Sequence, residues 1–259
     1  LNARPAASPP TGSAGFNGDR MDEATTQHGG YPEARTAEDI ARNLDAVKMR
    51  IEAACRRAER NPSSVRLLPV SKTVEERRIR MACEAGLRAF GENKVQEARA
   101  KAEAMADLDI AWSVIGHLQT NKAKYVARFA AEFQALDSLN AAEALDRRLQ
   151  IEGRALDVFV QINSSGEASK YGLAPEDAPT FVRELPAFSA LRVRGLMTLA
   201  VFSADAERGR RCFRTATAPR SGSTRSGLRL LRPARRRHRG RTAALSQDGP
   251  MPPRVDLGC

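Results

Sequence analysis

Between residues 65 and 199 the chain alternates short apolar runs with longer amphipathic stretches. The runs have the length of β-strands, and the stretches between them repeat apolar residues at the spacing of an α-helix. A further helical pattern begins after Thr36 and ends before Asn61-Pro62, because proline disfavours helical backbone in the residue before it. The pattern predicts strands over 65–71, 88–90, 110–115, 133–136, 157–162 and 191–199, and helices over 74–85, 95–106, 121–131, 140–152 and 175–185.

Six strands that alternate with helices of this length indicate parallel βαβ units. Two architectures have this pattern, a doubly wound sheet and an α/β barrel, and periodicity does not separate them. A chain of 259 residues and 28.2 kDa is long enough for one large barrel or for two smaller domains. The pattern therefore predicts the α/β class and leaves the architecture open.

The two ends of the chain differ from this pattern. Residues 1–36 are rich in Pro, Gly, Ala, Ser and Thr, so we predict a disordered extension that cannot offset the entropy of ordering. The sequence begins with Leu1, and Met21 is an in-frame alternative start. After the sixth strand the alternation stops. The predicted organisation is an extension over 1–36, an α/β domain over 37–207 and an Arg-rich, disordered tail over 208–259.

The formal net charge of +11 lies entirely in the predicted tail. Residues 208–259 hold 14 Arg, no Lys and two Asp, a balance of +12, which leaves residues 1–207 with 28 basic and 29 acidic side chains. The strongly basic character therefore says nothing about partners of the α/β domain.

The cysteines and the apolar stretches indicate a cytoplasmic protein. No CxxC pair occurs, and no histidine is near enough in sequence to complete a zinc site, so we interpret the cysteines as reduced thiols. No apolar stretch reaches the roughly 18 to 20 residues of a membrane span, and the N-terminus lacks the apolar core of a secretory signal. The four cysteines are Cys55, Cys83, Cys212 and Cys259.

Lys72 is the first candidate for chemistry, because it follows the apolar run 65–71 at the end of a predicted strand. Parallel α/β folds place their ligand-binding loops at these strand ends. An amine held there can form a Schiff base with an aldehyde cofactor, and we expect partial desolvation to favour its neutral form. Most strand-end lysines are solvated and carry no chemistry, so the surrounding motifs must decide.

Polar clusters follow the second, third and fifth predicted strands, and each taken alone is also typical of ordinary loops and helix caps. The cluster at 116–122 is not a nucleotide-binding P-loop, which needs Gly and Ser or Thr where this chain has Asn121 and Ala123. His117 is a candidate acid-base group. No carboxylate partner can be identified for it from the sequence, so we expect a structural or solvent-facing role.

Five motifs follow one another along the chain: Val70-Ser71-Lys72-Thr73, Phe90-Gly91-Glu92-Asn93, Ile115-Gly116-His117-Leu118-Gln119-Thr120-Asn121-Lys122, Gln161-Ile162-Asn163 with Ser165-Gly166-Glu167 and Lys170-Tyr171-Gly172, and Arg194-Gly195-Leu196-Met197-Thr198. Together they resemble the pyridoxal phosphate homeostasis proteins, a small family related to the N-terminal barrel of alanine racemases. The likeness runs from about residue 37 to residue 207. The combination is far more specific than any single motif.

The resemblance implies a (β/α)8 TIM-type barrel with pyridoxal 5′-phosphate at its mouth. In that family the lysine of the V-S-K motif forms the Schiff base with the cofactor, and Lys72 matches it. Asn93 is then expected near the cofactor ring, with Met197 and Thr198 lining the site. The implied role is a non-enzymatic, monomeric carrier in intracellular pyridoxal phosphate homeostasis, whose recipients are apo-enzymes that require the cofactor. The resemblance implies no catalytic residue and no metal ligand.

Two departures from the family bear on this expectation. Relatives commonly have His at the position of Ser113, and we expect its loss to alter local packing more than cofactor attachment. Relatives also close the barrel with a seventh strand that leads to an S-x-G-M-S segment and an eighth strand that leads to R-x-G, and neither strand can be found after residue 207.

Barrels hold phosphate in the loops after those two strands. We therefore expect an incomplete barrel that binds the cofactor weakly, because each lost charge-assisted hydrogen bond costs about 1.5–3 kcal/mol. We interpret the abrupt change of composition near residues 204–214 as a shifted reading frame.

Two other functions stay open. The first is a pyridoxal-phosphate-dependent amino-acid racemase, although racemases that resemble this barrel add a second domain with a catalytic tyrosine, and all three tyrosines here precede the tail. The second is non-specific nucleic-acid binding by the Arg-rich run 208–241, with strong salt dependence. That run has one aromatic residue, Phe213, so it lacks the stacking residues of a single-strand binder. The tyrosines are Tyr31, Tyr125 and Tyr171.

Overall fold

Five parallel strands form one sheet in the computed structural model, which describes residues 31–167, 169–201 and 203–217. The strands are β1 (Ala89–Glu92), β2 (Ala111–Val114), β3 (Glu132–Leu136), β4 (Leu156–Ile162) and β5 (Leu191–Thr198). Their order in the sheet is their order in the sequence. A doubly wound sheet reverses its order at a switch point, so this consecutive order indicates a barrel-type winding. Within the described residues the sheet ends at β5 and does not close.

Helices alternate with the strands as the apolar periodicity predicted. A capping box fixes the start of the first helix. Thr36 Oγ1 accepts a hydrogen bond from the Asp39 N–H at 3.2 Å, and the Asp39 carboxylate accepts one from the Thr36 N–H. The helices are α1 (Ala37–Arg57), α2 (Glu76–Glu84), α3 (Val95–Ala104), α4 (Ala123–Phe129), α5 (Leu139–Ile151), α6 (Ala178–Glu184) and α7 (Ala206–Thr217).

The main apolar core lies between the sheet and helices α4 and α5. Phe133 of β3 and Val158 of β4 are completely buried and belong to one cluster with Leu145 and Leu149 of α5. Burying one such side chain stabilises the fold by about 1.5–3 kcal/mol. The alternate positions of the strands carry polar groups instead, so the opposite face of the sheet is polar at Glu132 and at its register partner Asp157.

The predicted first strand, 65–71, does not form a regular strand. One bridge joins it to the sheet, between Val70 and Gly91. The Gly91 N–H donates to Pro69 O at 2.8 Å, and the Ser71 N–H donates to Gly91 O at 2.9 Å. Pro69 has no N–H to donate, which interrupts the ladder. The segment therefore lies beside β1, as predicted, but as an irregular extended stretch.

The predicted start of a disordered tail at residue 208 is wrong for residues 208–217, which belong to α7. Glu207 forms ion pairs with Arg210 at 3.3 Å and Arg214 at 2.6 Å, and Cys212 is buried. One buried side chain and these ion pairs stabilise a helix that composition alone did not indicate. Residues 1–30 and 218–259, which contain most of the predicted extension and tail, lie outside the described residues.

The cysteines that fall in the described residues are free and buried, in agreement with the predicted thiols; they are Cys55, Cys83 and Cys212. Cys259 lies outside the described residues. No helix among those described has the length and apolar content needed to cross a membrane.

Candidate functional site

The predicted site residues lie at the carboxyl ends of the strands. Lys72 follows the extended stretch beside β1, and Asn93 follows β1 directly. Each lies two residues beyond a paired position of the two segments, because Val70 bridges to Gly91. Lys72 is exposed as a residue, and the expected partial desolvation of its amine stays a prediction.

Lys72 occupies the second position of a tight turn, Ser71–Val74, which is closed by a bond from the Val74 N–H to Ser71 O at 3.0 Å. Thr73 has a φ of +62°. The third position of a type II turn requires such a positive φ and usually has Gly or Asn. A β-branched residue in this region is a conformational outlier that costs about 1–3 kcal/mol and persists only where surrounding contacts fix it.

Two side chains of α3 supply such contacts. Glu97 Oε1 accepts the Thr73 N–H at 2.7 Å. Lys101 Nζ donates to Ser71 O at 2.7 Å and to Glu97 Oε1 at 2.8 Å. Its third bond goes to Glu92 Oε1 at 2.7 Å, so all three N–H groups of the ammonium are used. The backbone that carries Lys72 is thus tied on both sides to α3.

The charges of this cluster stabilise one another. Burial alone would lower the pKa of Lys101, but hydrogen bonds to Glu92 and Glu97 outweigh it and raise the pKa. The bond from Lys101, with help from the Thr73 N–H, holds the pKa of Glu97 below its ordinary value in spite of burial. Both groups therefore stay charged around neutral pH.

The lowered pKa of Glu97 makes the stability of the fold depend on pH. A carboxyl with a depressed pKa in the folded state contributes stability above its unfolded pKa, and that contribution is lost as pH falls through the folded value. We expect Glu97→Gln to lower the free energy of unfolding by about 1 kcal/mol at neutral pH, with the difference from the parent shrinking as pH falls below the ordinary value of 4.5 and disappearing only below the depressed pKa of Glu97 in the folded state. Urea unfolding at a series of pH values measures this, and a difference independent of pH would contradict it.

A cleft of about 320 Å³ lies beside Asn93. Two lysines, Lys94 and Lys122, give it positive charge. The first turn of α3 also borders it, and Lys94 at the N-cap of this helix provides no side-chain cap. Helix N-termini and lysines both favour anions. The cleft is lined by Asn93, Lys94, Val95, Gln96, His117, Gln119, Lys122 and Tyr171.

His117 has partners that the sequence did not reveal. Its Nδ1 lies 3.4 Å from Asp137 Oδ2, although no carboxylate partner was identifiable from spacing. Its ring stacks on Tyr171, with centroids 4.1 Å apart and an interplanar angle of 10°. These contacts place the imidazole in the wall of the cleft and remove the reason given for a structural role, since a carboxylate partner is present.

Met197 and Thr198 end β5, with β2, β3 and β4 between them and β1. They are 6% and 7% exposed. Thr198 Oγ1 donates to Ile162 O at 2.9 Å and lies 2.6 Å from Ser164 Oγ. Met197 and Thr198 therefore lie at the same carboxyl edge of the sheet as Lys72, but on the last strand of the sheet rather than beside the first.

Comparison with known proteins identifies the family. The family model of the alanine racemase N-terminal domain matches residues 42–247. A pyridoxal phosphate homeostasis protein of Pseudomonas aeruginosa is 42% identical over 160 residues, which cover 62% of this chain and 70% of the relative. This chain belongs to the pyridoxal phosphate homeostasis protein family. The match of the domain model continues past residue 207, where the motif likeness was expected to end.

Solved structures agree with the barrel-type fold of this family. A protein of unknown function from Bifidobacterium adolescentis has a TM-score of 0.65 at 32% identity, covering 71% of this chain and 79% of that one. PipY of Synechococcus elongatus, solved with pyridoxal phosphate bound, has a TM-score of 0.58 at 33% identity, covering 68% of this chain and 78% of PipY. The fold class predicted from the motifs is confirmed.

Ser113, where members of the homeostasis family commonly have His, is buried in the polar face of the sheet. Its Oγ donates to Glu132 Oε1 at 2.6 Å. The same oxygen accepts bonds from Arg66 Nη2 at 2.6 Å and Gln134 Nε2 at 2.7 Å. Ser113 is thus part of a buried hydrogen-bond cluster around Glu132, and the expected effect of losing a His there stays a prediction.

The family motifs include Thr73 but gave no sign of its conformation, and they missed Glu97 and Lys101 of α3. The positive φ of Thr73 has no signature in sequence, because the residue is neither Gly nor Asn. Glu97 and Lys101 stand four residues apart in a predicted helix directly after the Gly91-Glu92-Asn93 motif. That spacing indicates an ion pair and was the available signal.

Proposed function

We propose that this protein binds pyridoxal 5′-phosphate covalently through Lys72 and carries it without catalysing a reaction on it. The observation that carries the proposal is an exposed lysine, Lys72, on a turn tied to α3 at the same carboxyl edge of the sheet as Asn93. Membership of the homeostasis family and the cofactor bound to the relative PipY support it.

The residues at this edge fit the chemistry of the cofactor. Pyridoxal phosphate supplies an aldehyde, with which a primary amine forms a C=N bond while the aldehyde oxygen leaves as water. Lys72 is the amine in our proposal, and Asn93 lies next to the ring. Met197 and Thr198 line the opposite wall. Lys94 and Lys122 give the neighbouring cleft the positive charge that favours a phosphate dianion.

The proposed role is that of a carrier rather than an enzyme. In the racemase alternative, a tyrosine would have to exchange a proton with the substrate. Tyr125 lies on α4 under the guanidinium of Arg99, 4.8 Å from the ring centre, and Tyr171 is stacked on His117. Neither contact orients a phenol towards Lys72. We therefore propose that the protein does not racemise amino acids, and an assay of loss of optical activity tests this.

The proposed carrier is a cytoplasmic monomer that delivers the cofactor to apo-enzymes requiring it. Contact with nucleic acid through the Arg-rich end of the chain is proposed as non-specific only. In the described part of that end, Arg210 and Arg214 are paired with Glu207, which reduces the charge available to phosphates.

Covalent attachment at Lys72 is the direct test. We expect borohydride reduction of the cofactor-loaded protein to label Lys72, and Lys72→Ala to lose the label entirely, because no other amine takes its position. Peptide mass spectrometry measures the label. Lys48→Ala, an exposed lysine of α1, is the matched control and should label like the parent. Labelling that survives in Lys72→Ala would refute the assignment.

Affinity is measured by absorbance titration against the Pseudomonas aeruginosa relative. We expect half-saturation at a cofactor concentration at least about tenfold higher, since after residue 207 this chain has no S-x-G-M-S segment and no predicted strand that leads to an R-x-G segment. Equal affinities would contradict the expected weakening without affecting the assignment of Lys72.

A further inference from the structure

We infer that Glu97 and Lys101 are positioning residues for Lys72, holding the Ser71–Val74 turn in a backbone conformation that Thr73 would not adopt by itself. The inference deepens the proposed function and rests on it for the role of Lys72. The juxtaposition of the turn and α3 is independent of that role and can be measured without cofactor.

The turn needs stabilising contacts from outside, because its third residue, Thr73, does not favour the positive φ that the turn requires. Thr73 has a φ of +62°, a region that L residues with a branched Cβ rarely enter. The bond inside the turn, from Val74 N–H to Ser71 O at 3.0 Å, also forms in turns of the common type I, which have negative φ throughout. That bond alone therefore does not select the observed conformation.

Glu97 selects it. The two turn types differ in the orientation of the peptide group between the second and third residues, here Lys72 and Thr73. In the observed orientation the Thr73 N–H points to α3 and donates to Glu97 Oε1 at 2.7 Å. A reversed peptide group would turn this N–H away and leave the carboxylate with one bond fewer.

Lys101 fixes both partners at once. Its Nζ bonds to Glu97 Oε1, which orients the carboxylate, and to Ser71 O, which anchors the first residue of the turn. Its side chain is only 12% exposed and is also bound to the fully buried Glu92. Lys101 therefore connects the turn by hydrogen bonds to a buried residue of the fold, Glu92.

Fixing the turn limits the positions that the amine of Lys72 can reach. The side chain is long and flexible, so its reactivity depends on how well the backbone under it is held. A turn that exchanges between conformations spreads the amine over more positions and raises the cofactor concentration needed for attachment. We therefore expect Glu97 to affect attachment although it does not touch the cofactor.

The experiment compares Glu97→Ala with Glu103→Ala. Both carboxylates are on α3 and each pairs with one cation of that helix, but Glu103 bonds to Arg99 and does not contact the turn. Two quantities are measured: amide hydrogen exchange of residues 72–74 without cofactor, and the pyridoxal phosphate concentration that gives half-maximal borohydride labelling of Lys72.

Glu97→Ala should speed exchange at residues 72–74 about tenfold and raise the half-labelling concentration about tenfold, as the loss of one charge-assisted bond implies. Glu103→Ala should change both by less than about twofold. Glu97→Gln keeps an acceptor oxygen for the Thr73 N–H and should stay within about threefold of the parent. Equal values for the two alanine variants would overturn the inference.

A glycine substitution in the turn provides a test that a general loss of stability cannot imitate. Glycine adopts positive φ without strain, so in Thr73→Gly the turn should no longer need the hydrogen bonds from Glu97 and Lys101. In this background, Glu97→Ala should change exchange and labelling by less than about threefold. A tenfold effect that persists in the Thr73→Gly background would also overturn the inference. This comparison remains available if Glu97→Ala alone unfolds.

The two proposals fail separately. If the parent protein shows no label at Lys72, the proposed function is wrong, and the exchange measurements still decide whether Glu97 holds the turn. If the parent is labelled and Glu97→Ala matches it in both measurements, the positioning role is wrong and the proposed function stands.

Discussion

Replacing Gly116 with alanine is expected to lower the free energy of unfolding by about 3 kcal/mol and to disturb the site at the same time. A Cβ on Gly116 would lie 2.2 Å from Asn93 O and 2.9 Å from Asn93 Cα. Both are backbone atoms, so no side chain can rotate away to make room. The loop after β2 would have to move from the loop after β1, carrying Asn93 with it. Chemical denaturation measures the stability.

Gly209→Ala is the control for this substitution. Gly209 lies in α7 with no heavy atom within 4 Å of its added Cβ. Alanine is a better helix former than glycine, so this variant should gain about 0.5–1 kcal/mol. The same chemical change should thus have opposite signs at the two positions. A loss below about 1 kcal/mol at Gly116 would show that the two loops are less tightly packed than described.

Replacing Arg66 with methionine is expected to cost about 3 kcal/mol, because it removes a cation from a buried carboxylate. Arg66 Nη2 lies 2.6 Å from Glu132 Oε1, and the Glu132 side chain is only 5% exposed. Ser113 and Gln134 continue to donate to this oxygen, but neither carries charge. The value is at the lower end of the usual range for buried pairs, since Arg66 is itself 26% exposed.

An exposed ion pair of nearly the same length is the control. Arg128 lies 2.8 Å from Glu152, with 65% of the arginine side chain exposed. Arg128→Met should lower the free energy of unfolding by less than about 1 kcal/mol, because water screens the pair. Thermal or urea unfolding of both variants gives the comparison. Similar losses would mean that burial of Glu132 does not strengthen its dependence on Arg66.

Sequence patterns predicted the strands best where burial is complete. Nearly all residues of β3 and β4 are buried, because helices cover the apolar face and packed polar groups fill the other, and both strands appear within a residue of their predicted bounds. The run 65–71 was equally apolar, but Pro69 removed a donor that a ladder needs. Helix α7 was missed because its arginines outweighed one buried cysteine in the composition.

The candidate site could be predicted only in part for a similar reason. Lys72 and Asn93 were expected together, since the carboxyl ends of neighbouring parallel strands meet at one edge of a sheet. The contact of Thr73 with Glu97 joins residues 24 apart through a backbone conformation that sequence does not encode visibly. Likewise, the partner of His117 came from a loop 20 residues away. Such contacts depend on how loops pack in the folded structure, which local sequence patterns do not specify.

The consecutive strand order has a consequence for biosynthesis. From β1 to β5, each strand pairs with the one translated just before it, so no strand has to wait for a distant partner. Parallel sheets fold slowly in general, but pairing between successive strands keeps the sequence separation of their contacts low, and folding can begin while the ribosome is still adding residues. We expect the nascent chain to extend its sheet one βα unit at a time, with Phe133 sheltered as soon as β4 and α5 emerge.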